Sequence, residues 1–159
     1  MSKVVKKIRS ILNTRKTYQV GLLQDKAYRV LKLETKAVLK PFGITPTQWA
    51  FLGILCDNKA EIRLNGLAQE LGVKAPLVTV IFTHLKKMNL IDSHKDEDDS
   101  RAKKVFLTKK GYEFVTQVEK TLRKEIRPLL NGLSLKEVVA YVSVLEAIVK
   151  NSENYKNNK

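Results

Sequence analysis

Residues 65–108 constrain this chain more than any other stretch, because two helical patterns meet at a glycine and then give way to strand period. Leu67-Ala68-Gln69-Glu70-Leu71-Gly72-Val73 reads as a short helix over residues 65–71 that closes on Gly72, where left-handed backbone costs little. A second helix is expected from Ala75 or Pro76 to Met88, since proline is tolerated in a first turn. Val78, Ile81, Phe82, Leu85 and Met88 recur along it at the spacing of a buried face. So short a turn makes the two helices cross steeply and leaves the second as a projecting ridge, with Lys74, Thr79, Thr83, His84 and Lys87 on its exposed sides. After Asn89 the period becomes two. Ile91-Asp92-Ser93-His94-Lys95 and Lys104-Val105-Phe106-Leu107-Thr108 are expected to form a hairpin, and the charged or small residues 96–103 its solvent-facing tip. A helix, a tight turn, a ridge helix and a two-stranded wing together give a winged helix-turn-helix, shaped to enter a major groove.

Charge agrees with a polyanionic partner. Thirty Lys and Arg against sixteen Asp and Glu leave +14 on 159 residues, with eleven bases and only two acids in the first forty. A globular domain this basic attracts nucleic acid or an anionic membrane surface. No run approaches the roughly 20 apolar residues of a membrane span, and no signal-peptide core is visible, so a cytoplasmic protein with no membrane partner is expected. The single cysteine, Cys56, excludes an intramolecular disulfide framework. With no phosphate-binding glycine loop, metal-ligand cluster or serine elbow, neither an enzyme, a metal site nor a cofactor is expected.

The flanks read as helices. A long one is expected over residues 21–40, with Leu23, Ala27, Leu31 and Val38 near one face and Pro41-Phe42-Gly43 ending it; residues 3–13 suit an additional short helix. Thr45-Pro46-Thr47-Gln48 combines a capping hydroxyl, a first-turn proline and a box-closing glutamine ahead of a helix that stops near Asn58. Thr108 offers a cap for a helix over residues 109–127, bounded by Pro128, and Ser134-Leu135-Lys136-Glu137 opens a last helix through Val149 with a frayed tail beyond. The expected class is therefore mainly α with a small β-hairpin wing. Residues 1–43 and 109–159 would be dimerisation helices around a DNA-binding domain at 44–108. The dimer expectation rests on Val115, Val118, Leu122, Ile126, Leu129 and Leu130, and on Val138, Val139, Val142, Leu145 and Val149. Apolar helices outside a small core must bury that surface, and a second copy is the economical cover.

From Gly43 to Gly111 the chain resembles the MarR family of bacterial transcriptional regulators. The resemblance rests on Gly43-Ile44-Thr45-Pro46-Thr47-Gln48-Trp49, on Leu67-Ala68 with Leu71-Gly72-Val73, and on Leu85-Lys86-Lys87-Met88-Asn89-Leu90-Ile91. Its most specific part is Asp99-Ser100-Arg101, followed by the strand and Leu107-Thr108-Lys109-Lys110-Gly111. The likeness implies a two-fold dimer with intertwined terminal helices, whose winged domains reach successive major grooves of double-stranded DNA. It also implies a recognition helix over residues 74–84, Arg101 in the minor groove, and a repressor that lets go when a small phenolic or lipophilic anionic effector binds. Asp99 would orient the Arg101 guanidinium, whose charge suits a narrow minor groove.

Many relatives carry serine in the first turn of the recognition helix and arginine or histidine midway; here those places hold Pro76 and Val80. Leu77 and Val80 can touch thymine methyls but cannot make bidentate hydrogen bonds to guanine, so shape, methyl and phosphate contacts should outweigh direct hydrogen bonding. Lys103 and Lys104 read either as phosphate contacts or as a solvated face. Trp49 is the one weak candidate for a ligand site and is otherwise a core residue. Cys56 is expected to be a buried structural thiol, and His84 and His94 are too few for a metal site. Two functions stay open at this point, a sequence-specific repressor and an architectural or weakly specific nucleic-acid binder.

Overall fold

The computed structural model describes residues 16–58, 61–99 and 102–157; the expected helix over residues 3–13 lies outside them, as does Arg101. The chain divides into two compact units, residues 1–126 and 127–159.

The first unit opens with α1 (Thr17–Leu39), four residues earlier than its expected start, and passes through a 3-10 turn (Lys40–Phe42) into Gly43, whose φ of 73° is the left-handed value the corner requires. Helix α2 (Pro46–Asn58) begins at the anticipated capping box: Thr45 N donates to Gln48 Oε1 at 2.8 Å and Gln48 N to Thr45 Oγ1 at 3.3 Å. Strand β1 (Ile62–Arg63) leads into α3 (Leu64–Leu71), which Gly72 terminates at φ 63°. There Gly72 N bonds the Gln69 carbonyl and Val73 N the Ala68 carbonyl, satisfying acceptors the helix end would otherwise leave open. Helix α4 (Ala75–Lys87), strands β2 (Ile91–Lys95) and β3 (Lys103–Leu107), and helix α5 (Lys109–Ile126) complete the unit.

The sheet differs from the expected hairpin. It has three antiparallel strands in the order β1-β3-β2, with Ile62 opposite Val105, Arg63 opposite Lys104, and β2 running from the Ile91–Leu107 pair to the Lys95–Lys103 pair. Two residues are too few to show a period, so nothing in the composition of Ile62-Arg63 announces a strand.

The core joins every element of this unit. Phe51, Leu52, Leu55, Leu67, Val78, Leu85, Leu90, Ile91 and Val105 are essentially inaccessible, and Leu39 of α1 is buried with them. Val115, Val118 and Leu122 of α5 also lie in this core, with Ile126 packed against it. Four of the eleven apolar residues that suggested a partner are thus already covered within one chain, because α5 returns across α1 and α2 instead of leaving the winged core.

The joint between α4, β2 and α5 explains the sequence around Thr108. The Thr108 hydroxyl donates to the Asn89 carbonyl at 2.8 Å and accepts from Gly111 N at 3.0 Å, while Thr108 N donates to the Leu90 carbonyl at 3.1 Å. Lys110 Nζ reaches the Met88 carbonyl at 2.9 Å. Gly111 is pressed so closely onto this turn that a Cβ there would stand 2.0 Å from the Leu90 oxygen. Asn89 takes the left-handed φ of 60° that lets the chain leave α4 for β2.

The second unit holds a 3-10 turn (Arg127–Leu130) and α6 (Leu135–Asn157). Its capping box forms as expected, Ser134 N donating to Glu137 Oε2 at 2.8 Å and Glu137 N to Ser134 Oγ at 3.3 Å. Ser134 Oγ also donates to Glu137 Oε2 at 2.7 Å, and this bond together with that from the Ser134 amide holds the Glu137 carboxyl below its ordinary range. The helix continues to Asn157, past the expected end at Val149, so most of the tail read as frayed is helical. Val139, Val142, Leu145, Ile148 and Val149 are exposed along it, as are Leu129 and Leu130 before it.

Candidate nucleic-acid interface

Helix α4 buries Val78, Ile81, Phe82 and Leu85 on the core. Helical spacing therefore turns Pro76, Val80, Thr83 and Lys87 outward along the opposite stripe, with Leu77 and Thr79 on its flanks. All six are exposed; Leu77 keeps 45% and Val80 63% of its surface. Lys74, the residue that caps the helix, is exposed as well. The two threonine hydroxyls turn inward to the helix itself: Thr79 Oγ1 donates to the Ala75 carbonyl at 3.3 Å and Thr83 Oγ1 to the Thr79 carbonyl at 2.9 Å. His84 is half-buried, its Nε2 3.1 Å from the Gly43 carbonyl. A carbonyl only accepts, so that nitrogen carries the proton and the ring ties α4 to the end of the 3-10 turn.

The wing is assembled on charge. Asp96, expected in the solvent-facing tip, is 3% exposed and is the polar group buried at its base. Its carboxylate accepts from Arg63 Nε at 2.5 Å and from Asp98 N at 3.0 Å, and lies 3.6 Å from Lys104 Nζ. One acid thereby ties together the strand before α3, the turn and β3. The Arg63 guanidinium and the Asp98 amide hold its pKa down to about 2. The loop is closed by Asp96 N to the Ala102 carbonyl at 3.0 Å and Ala102 N to the Asp99 carbonyl at 2.8 Å. On the outer strand His94 bonds the Lys95 carbonyl through Nδ1 at 2.8 Å and the Glu61 carboxylate through Nε2 at 2.6 Å. Both partners are acceptors, so both ring nitrogens must donate; the pair favours the imidazolium, and His94 titrates above its ordinary value.

The anticipated site residues fall on two neighbouring surfaces. Lys74, Pro76, Leu77, Thr79, Val80, Thr83 and Lys87 lie on α4 or at its start, and Asp99, Lys103 and Lys104 belong to the wing. A cleft of about 260 Å³ lies between them, lined by Arg63, Leu64, Asn65, Thr79, Ala102 and Lys103. Lys103 is exposed, its Nζ 5.8 Å from the centre of the Phe82 ring, whereas Lys104 is half-buried beside Asp96. Arg63 was not anticipated. It carries half its side chain in solvent at the cleft, and no spacing in the sequence marks it, since its importance comes from β1 joining the sheet.

Two further cavities lie away from this face. One of about 440 Å³ is bordered by Tyr28, Leu31, Lys32 and Thr35 of α1, by Pro46, Thr47 and Ala50 of α2, and by Leu71 and Val73. The other, about 370 Å³, is lined by Trp49, Gly53, Cys56 and Asp57 of α2 and by Val115, Glu119 and Arg123 of α5. Trp49 is half-buried, with one side on the core and one on this cavity, and Cys56 is half-buried too, not enclosed as expected. Among the described residues no three potential metal ligands come together, and no helix is long and apolar enough to cross a membrane.

Comparison with known proteins gives the same architecture. The model of the MarR family matches residues 42–102, from the end of the 3-10 turn to the wing tip. A MarR-family transcriptional regulator from Rhodococcus sp. RHA1 superposes with a TM-score of 0.76 at 16% identity, over 85% of this chain and 95% of that one. AbsC, a MarR-family regulator from Streptomyces coelicolor, gives 0.75 at 20% identity over 88% and 97%. A cysteine-to-serine mutant of MarR from E. coli, solved with operator DNA, gives 0.70 at 21% identity over 82% and 93%. The family pattern is matched on the helix-turn-helix and wing, and the fold is shared along most of the chain, so the protein has the winged helix-turn-helix fold of the MarR-family transcriptional regulators and is similar to that family over residues 42–102.

Proposed function

We propose that the protein is a sequence-specific repressor that binds duplex DNA as a homodimer, in the cytoplasm, and is released by a small-molecule effector. The observation that carries the DNA reading is the exposed outer face of α4 beside a wing whose base is locked by Asp96, with Lys74, Lys87, Lys103 and Arg63 bordering the two. A ridge of helical width enters the major groove while the wing follows the adjacent backbone, and Arg101 at the wing tip enters the minor groove. The exposed apolar residues of α1 and α6, among them Leu22, Leu33, Val142 and Val149, are the surface a second copy would cover. In this reading residues 1–43 and 109–159 supply the dimer contacts and residues 44–108 the DNA contacts. An effector with an aromatic body and an anionic group suits either cavity beside α2: one has Tyr28 and Lys32 on its wall, the other Trp49 and Arg123.

The test is the affinity of the full chain for sites enriched from a random duplex pool against random duplex, at one fixed salt concentration. Specific regulators prefer their sites by about a thousandfold or more. A ratio near one would instead favour an architectural binder, the reading that the +14 charge and the apolar face of α4 support. Light scattering should return twice the chain mass at micromolar concentration.

A further inference from the structure

The chemistry of the α4 face goes further than its shape. Guanine offers two acceptors to the major groove, and adenine and thymine one each, so an arginine-like donor is the usual reader of a base edge. From Pro76 to Thr83 the outward surface offers none. Pro76, Leu77 and Val80 have no polar side-chain atom, and the hydroxyl protons of Thr79 and Thr83 are directed to the Ala75 and Thr79 carbonyls. The proton on His84 Nε2 is directed to Gly43. Donors resume only at the two ends of the helix, with Lys74 and Lys87, where phosphates would flank the groove. What remains in the middle is a cluster of methyl groups between two cations. In the major groove the one apolar feature of a base pair is the pyrimidine 5-methyl of thymine.

We infer that α4 selects DNA by burying pyrimidine 5-methyl groups against Leu77 and Val80, so that thymine-bearing duplex is held more tightly than the same duplex carrying uracil. The occupant is double-stranded DNA because the apolar cluster lies between exposed lysines, and the inference rests on the DNA-binding reading above. Burying one methyl contributes about fourfold in affinity, and one on each half of a dimer about fifteenfold.

The experiment compares the full-length protein on two duplexes of about 30 base pairs, roughly three turns. One is alternating adenine and thymine and the other has uracil in place of every thymine, both at about 100 mM salt. Uracil lacks only the methyl, and every register of the alternating duplex presents methyls to the groove. The thymine duplex should bind roughly four- to fifteenfold more tightly. In the Leu77→Ala, Val80→Ala double variant, whose substitutions lie at exposed positions and leave the buried face of α4 intact, the ratio of the two affinities should fall to one. A wild-type ratio of one with salt-sensitive binding to both duplexes overturns the methyl reading and leaves DNA binding intact. A thymine preference that survives in the double variant overturns the assignment to Leu77 and Val80. Failure to bind either duplex overturns the methyl reading, since thymine methyls then supply no affinity by themselves, and leaves DNA binding to be decided by the enriched-site titration above.

Discussion

Helix α4 and the wing lie side by side, yet one is held by apolar burial and the other by ions. Four buried side chains fix α4, and its outer face from Pro76 to Thr83 presents methyls with no outward donor. The wing has few buried apolar groups beyond Ile91, Val105 and Leu107 and depends on a carboxylate clasped by Arg63, the Asp98 amide and Lys104. The difference teaches that the two halves of one interface should respond to different perturbations. In the proposed complex, pH should act chiefly on the wing, and methyl content of the base pairs on the helix.

The largest expected effect strikes the joint that both halves share. Gly111→Ala forces a Cβ to 2.0 Å from the Leu90 oxygen, a contact with backbone that cannot move without shifting α5 or the α4–β2 turn. A loss of about 3 kcal/mol in urea unfolding is expected, with helix and wing loosening together. Next comes the wing tip. Arg101→Ala should lower DNA affinity by about 1–3 kcal/mol at physiological salt, measured by titration; an unaltered affinity would remove the minor-groove role.

Acid should separate the two regions. Asp96 has its folded pKa lowered to about 2 from a carboxylate's ordinary value, so its contribution to stability is present above the ordinary value and is lost as pH falls toward 2. Thermal melting of the wild type should show that loss, and Asp96→Asn should be less stable at neutral pH and flatter across the acid range. His94 works in the opposite sense. Its folded pKa is raised by the Lys95 carbonyl and the Glu61 carboxylate, so the stability from these bonds is complete below the ordinary histidine value and disappears as pH rises through the shifted one. His94→Gln should erase that smaller alkaline decline. Smallest of all, Lys103→Gln should weaken DNA binding evenly across sequences and reduce the salt slope by about one. Lys104→Gln should lower the slope less, since its ammonium already faces Asp96.

The same contrast marks what could be read from the amino acids alone. Helix starts and stops were legible at Thr45-Pro46-Thr47-Gln48, Gly72 and Ser134-Leu135-Lys136-Glu137, because capping is chemistry between residues three apart. The buried stripe of α4 was legible for the same reason. The wing's interior was not. Four acids cluster at residues 96–99, and only the fold selects Asp96 for burial, through an arginine 33 positions upstream. β1 was invisible at two residues. The apolar positions of α5 were legible as buried, but not what covers them; Val115, Val118 and Leu122 proved to face their own chain. A helical tail that was read as frayed shows the limit of judging ends by polarity, since Asn, Ser, Glu and Lys continue a helix already started.

The central claim is that two copies set a methyl-faced helix and an arginine-tipped wing onto successive grooves of one duplex. Hydroxyl-radical footprinting of the full-length protein on a site enriched from random sequence tests it most directly. The account predicts two symmetric patches of protection about one helical turn apart, each flanked by a minor-groove patch that disappears in Arg101→Ala. A single patch, or an even ladder of protection along the duplex, would contradict it.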